Sequence, residues 1–225
     1  MVTSSSGSVP NDSCKPDRDN DQLFGDLLQR ARTGDSEALG QLLQWYINYL
    51  TILASSQLDS RLRGRMNSSD VVQEAMLAAH RDFGDFRGGS QGELLGWLRQ
   101  ILIHTLHRMF SRHFKAAKRD VRRELSLDRV TNGVEESACN LAAILPAHGD
   151  SPSSPMQARE DEVVLANLLE RLPAKHRDVI VLRVLQGLSF DEISKRMDRS
   201  NGAVRMLWLR ALDSFKKHSE ENNGN

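Results

Sequence analysis

The chain has 225 residues, and its 30 lysines and arginines balance its 30 acidic residues. With 39% hydrophobic and 5% aromatic residues, the composition favours small domains joined by polar segments over one large core. Cys14 and Cys139 are too few for a disulfide framework or a zinc site, and no apolar run has the length of a signal or a membrane span, so we expect a cytoplasmic protein without a membrane contact.

The charges are segregated along the chain. Residues 1–98 carry 9 basic against 13 acidic residues, and 99–123 carry 8 against 1. Residues 124–162 then carry 2 against 8, and 163–217 carry 11 against 6. Two basic segments separated by an acidic one indicate two contacts with a polyanion.

The N-terminal third predicts helices that supply a core. Residues 1–20 have the composition of a disordered tail. Apolar spacing predicts a helix from Asp21 to Arg32 and another from Glu37 to Ala54. Prolines and glycines are sparse in the periodic stretches and no β-branched alternation occurs, so the predicted fold class is all-α.

A third helix is predicted from Ser69 or Asp70 to Asp82. Its apolar side can pack, while Asp70, Gln73 and Glu74 form a polar face that is most simply solvated surface. The glycine-rich loop 83–93 follows, but it lacks a GK[ST] sequence and a preceding strand, so a nucleotide site is not expected.

The longest apolar helix, 94–114, is bordered by basic residues. Its aromatic and basic side chains could stack on unpaired bases and hold a nucleic-acid backbone. The alternative, a packed core with solvated arginines, is equally compatible with this segment alone.

Residues 124–159 have the composition of an acidic linker, and a second helical domain is predicted over 160–217, followed by a tail, 218–225. Within it, Ser189 and Glu192 form a capping-box pattern, a short helix ends near Met197, and Ser200 caps a longer one. A short helix, a turn and a longer helix are typical of the helix-turn-helix, and an ordinary helical hairpin is the alternative.

Two blocks of sequence resemble the extracytoplasmic-function (ECF) branch of bacterial sigma factors. The first block resembles sigma region 2 and comprises GDSEALGQLLQWY and SSDVVQEAMLAAHRDFGDFRGGSQGELLGWLRQIL. The second resembles sigma region 4 and reads LANLLERLPAKHRDVIVLRVLQGLSFDEISKRMDRSNGAVRMLWLRAL. The resemblance implies a region 2-like domain over 21–123 and a region 4-like domain over 160–217, joined by a flexible linker.

The resemblance also implies roles for particular residues. The polar face of the third helix matches the helix that docks on the β′ clamp helices of RNA polymerase, and the implied polymerase-binding residues are Asp70, Gln73 and Glu74. The implied residues that read and melt the −10 element are Phe86, Arg87, Gly88, Ser90, Trp97, Arg99, Arg108 and Arg112. The implied residues that read the −35 element are Arg199, Ser200, Asn201, Ala203 and Arg205.

This sequence departs from the family pattern at two places. Leu207 and Leu209 stand where many relatives carry polar or basic residues, and Ile103 to Thr105 replace a common Arg-Asn combination. Fewer side chains are therefore expected to reach DNA near Leu207 and Leu209, and both promoter sites are expected to be used with altered specificity.

The resulting hypothesis is a promoter-specificity subunit without catalysis or cofactor. Its implied partners are core polymerase (the β′ clamp helices and the β flap), promoter DNA and, as a further candidate, an anti-sigma factor. The alternative is a helix-turn-helix regulator that acts without being a polymerase subunit. An enzyme is disfavoured because His80, His104, His107 and His113 lack HExxH or HxH spacing.

Overall fold

The computed structural model describes residues 16–58, 66–116, 126–142 and 155–223. Those residues form helices and no strand, which confirms the all-α prediction. The predicted tail before residue 16, the basic tract 117–125, the linker residues 143–154 and residues 224–225 lie outside the described residues, as do 59–65. The helices are α1 Pro16–Arg32, α2 Ser36–Gln44, α3 Ile47–Gln57, α4 Ser68–Asp82, α5 Gln91–Ala116, α6 Leu127–Ala142, α7 Pro155–Arg171, α8 Ala174–Ile180, α9 Phe190–Met197 and α10 Asn201–Asn223.

The chain divides by its contacts into one unit that ends at Leu42 and a second that begins at Leu43. The first contains α1, whose buried side chains Phe24, Leu27, Leu28 and Ala31 recur with helical spacing. Asp35 caps α2, because its Oδ1 accepts hydrogen bonds from the backbone N–H groups of Glu37 and Ala38 at 3.0 Å each.

The second unit is organised around α3. This helix has buried residues on most of its circumference, including Tyr49, Leu50, Ile52 and Leu53. It contacts α4, α5, α6 and α7, and such a helix is stable only when neighbours cover it on several sides.

Several helix boundaries differ from the sequence prediction. Helix α1 begins at Pro16, α7 begins at Pro155 and α10 extends to Asn223, so residues 16–20, 155–159 and 218–223 are helical where tails and a linker were predicted. The helix expected over 37–54 ends at Gln44, and a new one begins at Ile47, with Tyr46 between them in a turn and 1% exposed. No glycine or proline marks this break, so the periodicity continues through it. After α8, Val181–Leu185 form a π-helical segment rather than a regular α-helix.

A helix, α6, occupies part of the segment predicted as linker. Val130, Val134, Ala138 and Leu141 are each at most 3% exposed and recur at i, i+4, i+8 and i+11. Through this stripe α6 packs on α3, α5 and α7. Helices from both predicted DNA-binding segments therefore pack together in the second unit, although the division of functions between those segments stays a prediction.

Candidate nucleic-acid and polymerase interface

The C-terminal helix pair is built by local capping. The Ser189 hydroxyl accepts from the Glu192 N–H, and the Glu192 carboxylate accepts from the Ser189 N–H at 2.8 Å, which confirms the predicted capping box. The Ser189 hydroxyl also donates to the Glu192 carboxylate at 2.7 Å. This bond, followed by the one from the Ser189 N–H, lowers the pKa of Glu192. The turn passes through Asp198 in the left-handed conformation, with φ 51°, before Ser200 caps α10.

Arg205 is held in a defined orientation on the first turns of α10. Its Nε donates to Asn201 Oδ1 at 2.8 Å, and Asn201 Nδ2 donates to Asp191 Oδ1 at 2.6 Å. The guanidinium carbon lies 5.1 Å from the centre of the Phe190 ring. Val204, the residue before Arg205, is completely buried, so Arg205 leaves the helix beside the packed face, as predicted.

The other predicted −35 residues lie on the same surface. Arg199, Ser200 and Ala203 are exposed, and Asn201 is partly exposed. The Ser200 hydroxyl accepts from the Ala203 N–H at 3.2 Å, which assigns it a capping role. Asn201 uses both of its polar atoms to orient Arg205, and each atom retains one further hydrogen-bonding position.

The loop predicted to meet the −10 element encloses an aromatic cluster. Phe86 is 6% exposed, and its ring lies 6.0 Å from that of Phe83 and 5.3 Å from that of Trp97. A Cβ placed on Gly88 would approach the Phe86 ring to 2.7 Å, so only glycine fits there. Phe86 and Trp97 thus pack on each other, and Trp97 remains partly exposed.

The remaining loop residues fix the start of α5. Glu93 Oε2 accepts from the Gly89 N–H at 2.8 Å and from the Ser90 hydroxyl at 3.0 Å, and these bonds lower the pKa of Glu93. The exposed Arg87 donates to the backbone carbonyl of Gly84. The loop is therefore a structured cap with one exposed cation.

Arg99 lies in a buried polar cluster, and not on a surface. It is 7% exposed, and it donates to Glu135 on α6 at 2.7 Å and to Glu162 on α7 at 3.0 Å. Tyr49 on α3 donates its hydroxyl to the same Glu162 oxygen at 2.7 Å. Burial, followed by the charge of Glu162, raises the pKa of Tyr49 well above its usual range. In this arrangement Arg99 is covered by α6 and α7, so DNA has no access to it.

The predicted polymerase-facing side of α4 is exposed at Asp70 and Gln73. Glu74 is instead paired with Arg108 of α5 at 2.9 Å, so a predicted polymerase residue and a predicted −10 residue neutralise each other. Arg112, one turn further along α5, is exposed.

Sequence reasoning missed the carboxylates and aromatic residues that position these arginines. Phe190 and Asp191 hold the Arg205 network, while Tyr49, Glu135 and Glu162 surround Arg99. Asp191 lies in the first turn of α9, within the predicted helix-turn-helix, so its pairing with Asn201 could have been considered from the sequence. The partners of Arg99 lie 36 and 63 residues away, and no local pattern identifies them.

Among the described residues, no group of three or more His, Cys, Asp or Glu side chains is placed to hold a metal ion. No described helix combines the length and the apolarity required to cross a lipid bilayer.

Comparisons with known proteins agree on one family. Residues 162–214 match the family described as Sigma-70, region 4. The ECF RNA polymerase sigma-E factor of Haemophilus influenzae is 29% identical over 192 residues, which cover 84% of this chain and 92% of that protein. The sigma-E factor of Escherichia coli K12 is also 29% identical, over 189 residues that cover 84% of this chain and 90% of that protein. The solved structure of CnrH in complex with the cytosolic domain of CnrY is 20% identical and covers 88% of this chain and 98% of that one, but its TM-score of 0.31 supports no structural argument.

Proposed function

Since this chain belongs to the ECF family of sigma factors, and is an alternative sigma subunit that directs RNA polymerase in transcription initiation, we propose that its segments divide the steps of promoter recognition. Residues 160–217 read the −35 element through α10. Residues 21–123 bind the polymerase through α4 and read and melt the −10 element through α5 and the loop before it. The chain has no catalysis of its own and acts in the cytoplasm, where it meets core polymerase and promoter DNA.

The observation that carries the −35 assignment is the Asp191–Asn201–Arg205 network. An arginine held by an amide and an aromatic ring loses little further freedom when it meets a base edge. Its charge is not neutralised, because the group bonded to Nε is a neutral amide and not a carboxylate. Within the described residues its two Nη groups make no hydrogen bond, and paired N–H donors are what a guanine edge accepts in the major groove.

The polymerase assignment is supported by Asp70 and Gln73. They are exposed polar residues on a helix whose opposite side, with Val71 and Ala75, is buried. This face lies on α4, while the network that supports DNA reading lies on α9 and α10, so one chain can present both surfaces. The expected contact is with the β′ clamp helices, and the contact of residues 160–217 is with the β flap; an anti-sigma factor would cover one of these surfaces.

Introducing positive charge on the exposed face of α4 tests the polymerase assignment. Asp70→Lys together with Gln73→Lys leaves the Glu74–Arg108 ion pair intact, so only the exposed face changes. We expect at least a tenfold loss of affinity for core polymerase, since opposite charges steer and hold such an interface. Affinity is measured by competition with labelled wild-type chain.

The matched control is Glu37→Lys together with Gln41→Lys on α2. It likewise replaces one carboxylate and one amide by lysine on an exposed face, where Gln41 and Glu37 are one turn apart. The control should bind core polymerase as the wild type does. Unchanged affinity of the α4 variant, with its helical content intact, would contradict the assignment.

A further inference from the structure

Two large apolar side chains project from the outer surface of α10. Met206 is 51% exposed and Leu209 is 58% exposed, although both belong to a helix whose inner face, at Val204 and Ala211, is completely buried. With Gly202 they recur at i, i+4 and i+7, which places the three on one side of the helix. The exposed pair is therefore a stripe opposite the packed face.

The borders of this stripe indicate what it contacts. Arg205 and Arg210 are exposed neighbours of Met206 and Leu209 in the sequence, so the stripe has a cationic rim. One turn beyond Leu209 it ends at Asp213, which is paired with Lys217 at 2.8 Å. A negatively charged partner with apolar groups at its centre fits this pattern, and the grooves of DNA have that composition.

Gly202 adds a steric indication. A Cβ placed there would meet nothing within 4 Å, so no contact within the described residues requires glycine at this position. The absence of a side chain at Gly202 leaves room for close approach by another molecule at the start of the stripe.

We propose that Met206 and Leu209 are specificity-determining residues that contact the 5-methyl groups of thymines in the −35 element. The inference rests on the proposed function, because it requires α10 to lie in the major groove. The thymine methyl is the one apolar group on a base edge in that groove. Arg205 then contributes hydrogen bonds, and the stripe contributes apolar contacts one turn further along the same helix.

Replacing thymine with deoxyuridine tests this, because it removes only the methyl group. The probe is a promoter fragment bound by holoenzyme containing the full chain, with every thymine of its −35 element replaced. Burying one methyl group strengthens binding about fourfold. Wild-type holoenzyme should therefore bind the substituted fragment at least about fourfold more weakly than the thymine fragment. Met206→Ala combined with Leu209→Ala should bind both fragments equally.

The control is Leu23→Ala, which removes a side chain that is 50% exposed on α1 and should retain the full preference for thymine. Arg205→Ala should bind both fragments more weakly but keep their ratio. Equal wild-type affinity for both fragments, or a −35 element without A·T pairs, would overturn the inference and leave the proposed function standing. If wild-type holoenzyme instead bound a fragment with a scrambled −35 element as tightly as the intact promoter, the proposed function itself would be contradicted.

A second inference comes from the buried cluster around Arg99. Tyr49 on α3 and Arg99 on α5 belong to the segment assigned to the −10 element, whereas Glu162 on α7 belongs to the segment assigned to the −35 element. Beside this cluster, Asn48 donates to Asn167 at 2.9 Å, and Arg196 on α9 donates to the carbonyl of Leu58 at 2.7 Å. These bonds connect the two segments at several points.

We infer that this cluster is a latch, which holds the free chain in a closed state and must open before Arg99 can meet the −10 strand. Arg99 is 7% exposed, so its guanidinium cannot reach a phosphate until the helices that carry Glu135 and Glu162 move away from it. Because the desolvation of a buried ion pair offsets much of its attraction, such a cluster can specify a closed arrangement without preventing its opening. Core polymerase or promoter DNA would supply the opening free energy by binding the open state.

A reversible cross-link tests the latch in the full chain. Cys14 and Cys139 are first replaced by serine, and Asn48→Cys and Asn167→Cys are introduced and joined with a short reducible bismaleimide. With core polymerase, the joined chain should give at least tenfold less permanganate reactivity of −10 thymines, and reduction should restore it. The variant with Asn48→Cys alone, treated in the same way, is the control.

Two results of the cross-linking experiment would contradict the latch. Equal promoter opening by the joined and the reduced chain would overturn it, because the closed state would then be competent. Failure of the two cysteines to become joined would also overturn it, since the two segments would not be neighbours in solution.

Discussion

Arg205 and Arg99 both lie on basic segments, but they differ in exposure and in the groups that bind them. Arg205 is exposed and held by an amide and an aromatic ring, so its positive charge is oriented but not neutralised. Arg99 is buried and bonded to two carboxylates, so its charge is satisfied within the chain. Orientation by neutral groups leaves a cation ready to bind, whereas pairing with carboxylates requires a rearrangement first.

The same contrast extends to the surroundings of the two arginines. Around Arg205 the contacts are local, from residues of α9 and α10, and local contacts form whenever those helices form. Around Arg99 the contacts come from three other helices, α3, α6 and α7. We therefore expect −35 recognition to persist under conditions that change the packing of the second unit, and −10 recognition to depend on that packing.

The largest expected effect comes from removing the oriented cation. Arg205→Ala should lower affinity about ten- to a hundredfold on a promoter with its preferred −35 element, since a bidentate arginine–guanine contact contributes about 1–3 kcal/mol of discrimination. On a mismatched element the loss should be much smaller. Competition binding of holoenzyme to the two fragments measures both values.

Lys216→Ala is the control for that measurement. It also removes one positive charge from α10, three turns further along, where Lys216 is exposed and within 3.8 Å of Glu220. Its effect should be small and equal on both fragments. Similar losses for Lys216→Ala and Arg205→Ala would show that general charge, and not base reading, accounts for binding.

The next effect concerns the aromatic cluster beside the −10 loop. Trp97→Ala should lower the free energy of unfolding by about 2 kcal/mol, because the ring packs on Phe83 and Phe86 but remains partly exposed. Trp97→Phe should recover most of the loss. Urea unfolding of the three proteins measures this, and a wild-type midpoint for Trp97→Ala would mean that the ring does not contribute to packing.

Much of the helical pattern was predictable because the signals are local. The capping box at Ser189 and Glu192, the boundaries of α9 and the burial of Val204 follow from spacing within a few residues. The helix α6 was missed because its buried stripe of two valines, an alanine and a leucine is separated by Thr, Asn, Gly and Ser residues typical of linkers. The break before Ile47 was missed because no turn residue marks it.

The environment of each arginine was predictable only where the side chains that bond to it are close in the sequence. Arg205 and Asn201 are one turn apart, so their cooperation is visible from spacing. The neutralisation of Arg99 and Arg108 depends on carboxylates from other helices, and only the packing of those helices brings them together. Exposure, which decides whether an arginine can meet DNA, is a property of that packing.

The smallest expected effect concerns the capping box of α9. The pKa of Glu192 is lowered by its bonds from Ser189, so its contribution to stability is present above the ordinary glutamate pKa and is lost as the pH falls through the lowered value. Glu192→Gln should therefore lower the thermal midpoint slightly at pH 7. The difference from wild type should shrink at pH 3.5.

The exposed change Glu220→Gln on α10 removes the same charge outside any cap and is the control. A Glu192→Gln deficit that is as large at pH 3.5 as at pH 7 would show that the carboxylate charge does not stabilise the cap.

The division of work between the two segments is tested most directly by measuring closed and open complexes in the same reactions. Core polymerase is combined with wild type, Arg205→Ala or Trp97→Ala, after circular dichroism has shown each variant to be folded. Gel retardation measures promoter binding, and permanganate reactivity of unpaired thymines measures opening. We predict that Arg205→Ala loses binding but opens a normal fraction of what it binds, whereas Trp97→Ala binds normally and opens poorly. Equal loss of both complexes in both variants would contradict the division.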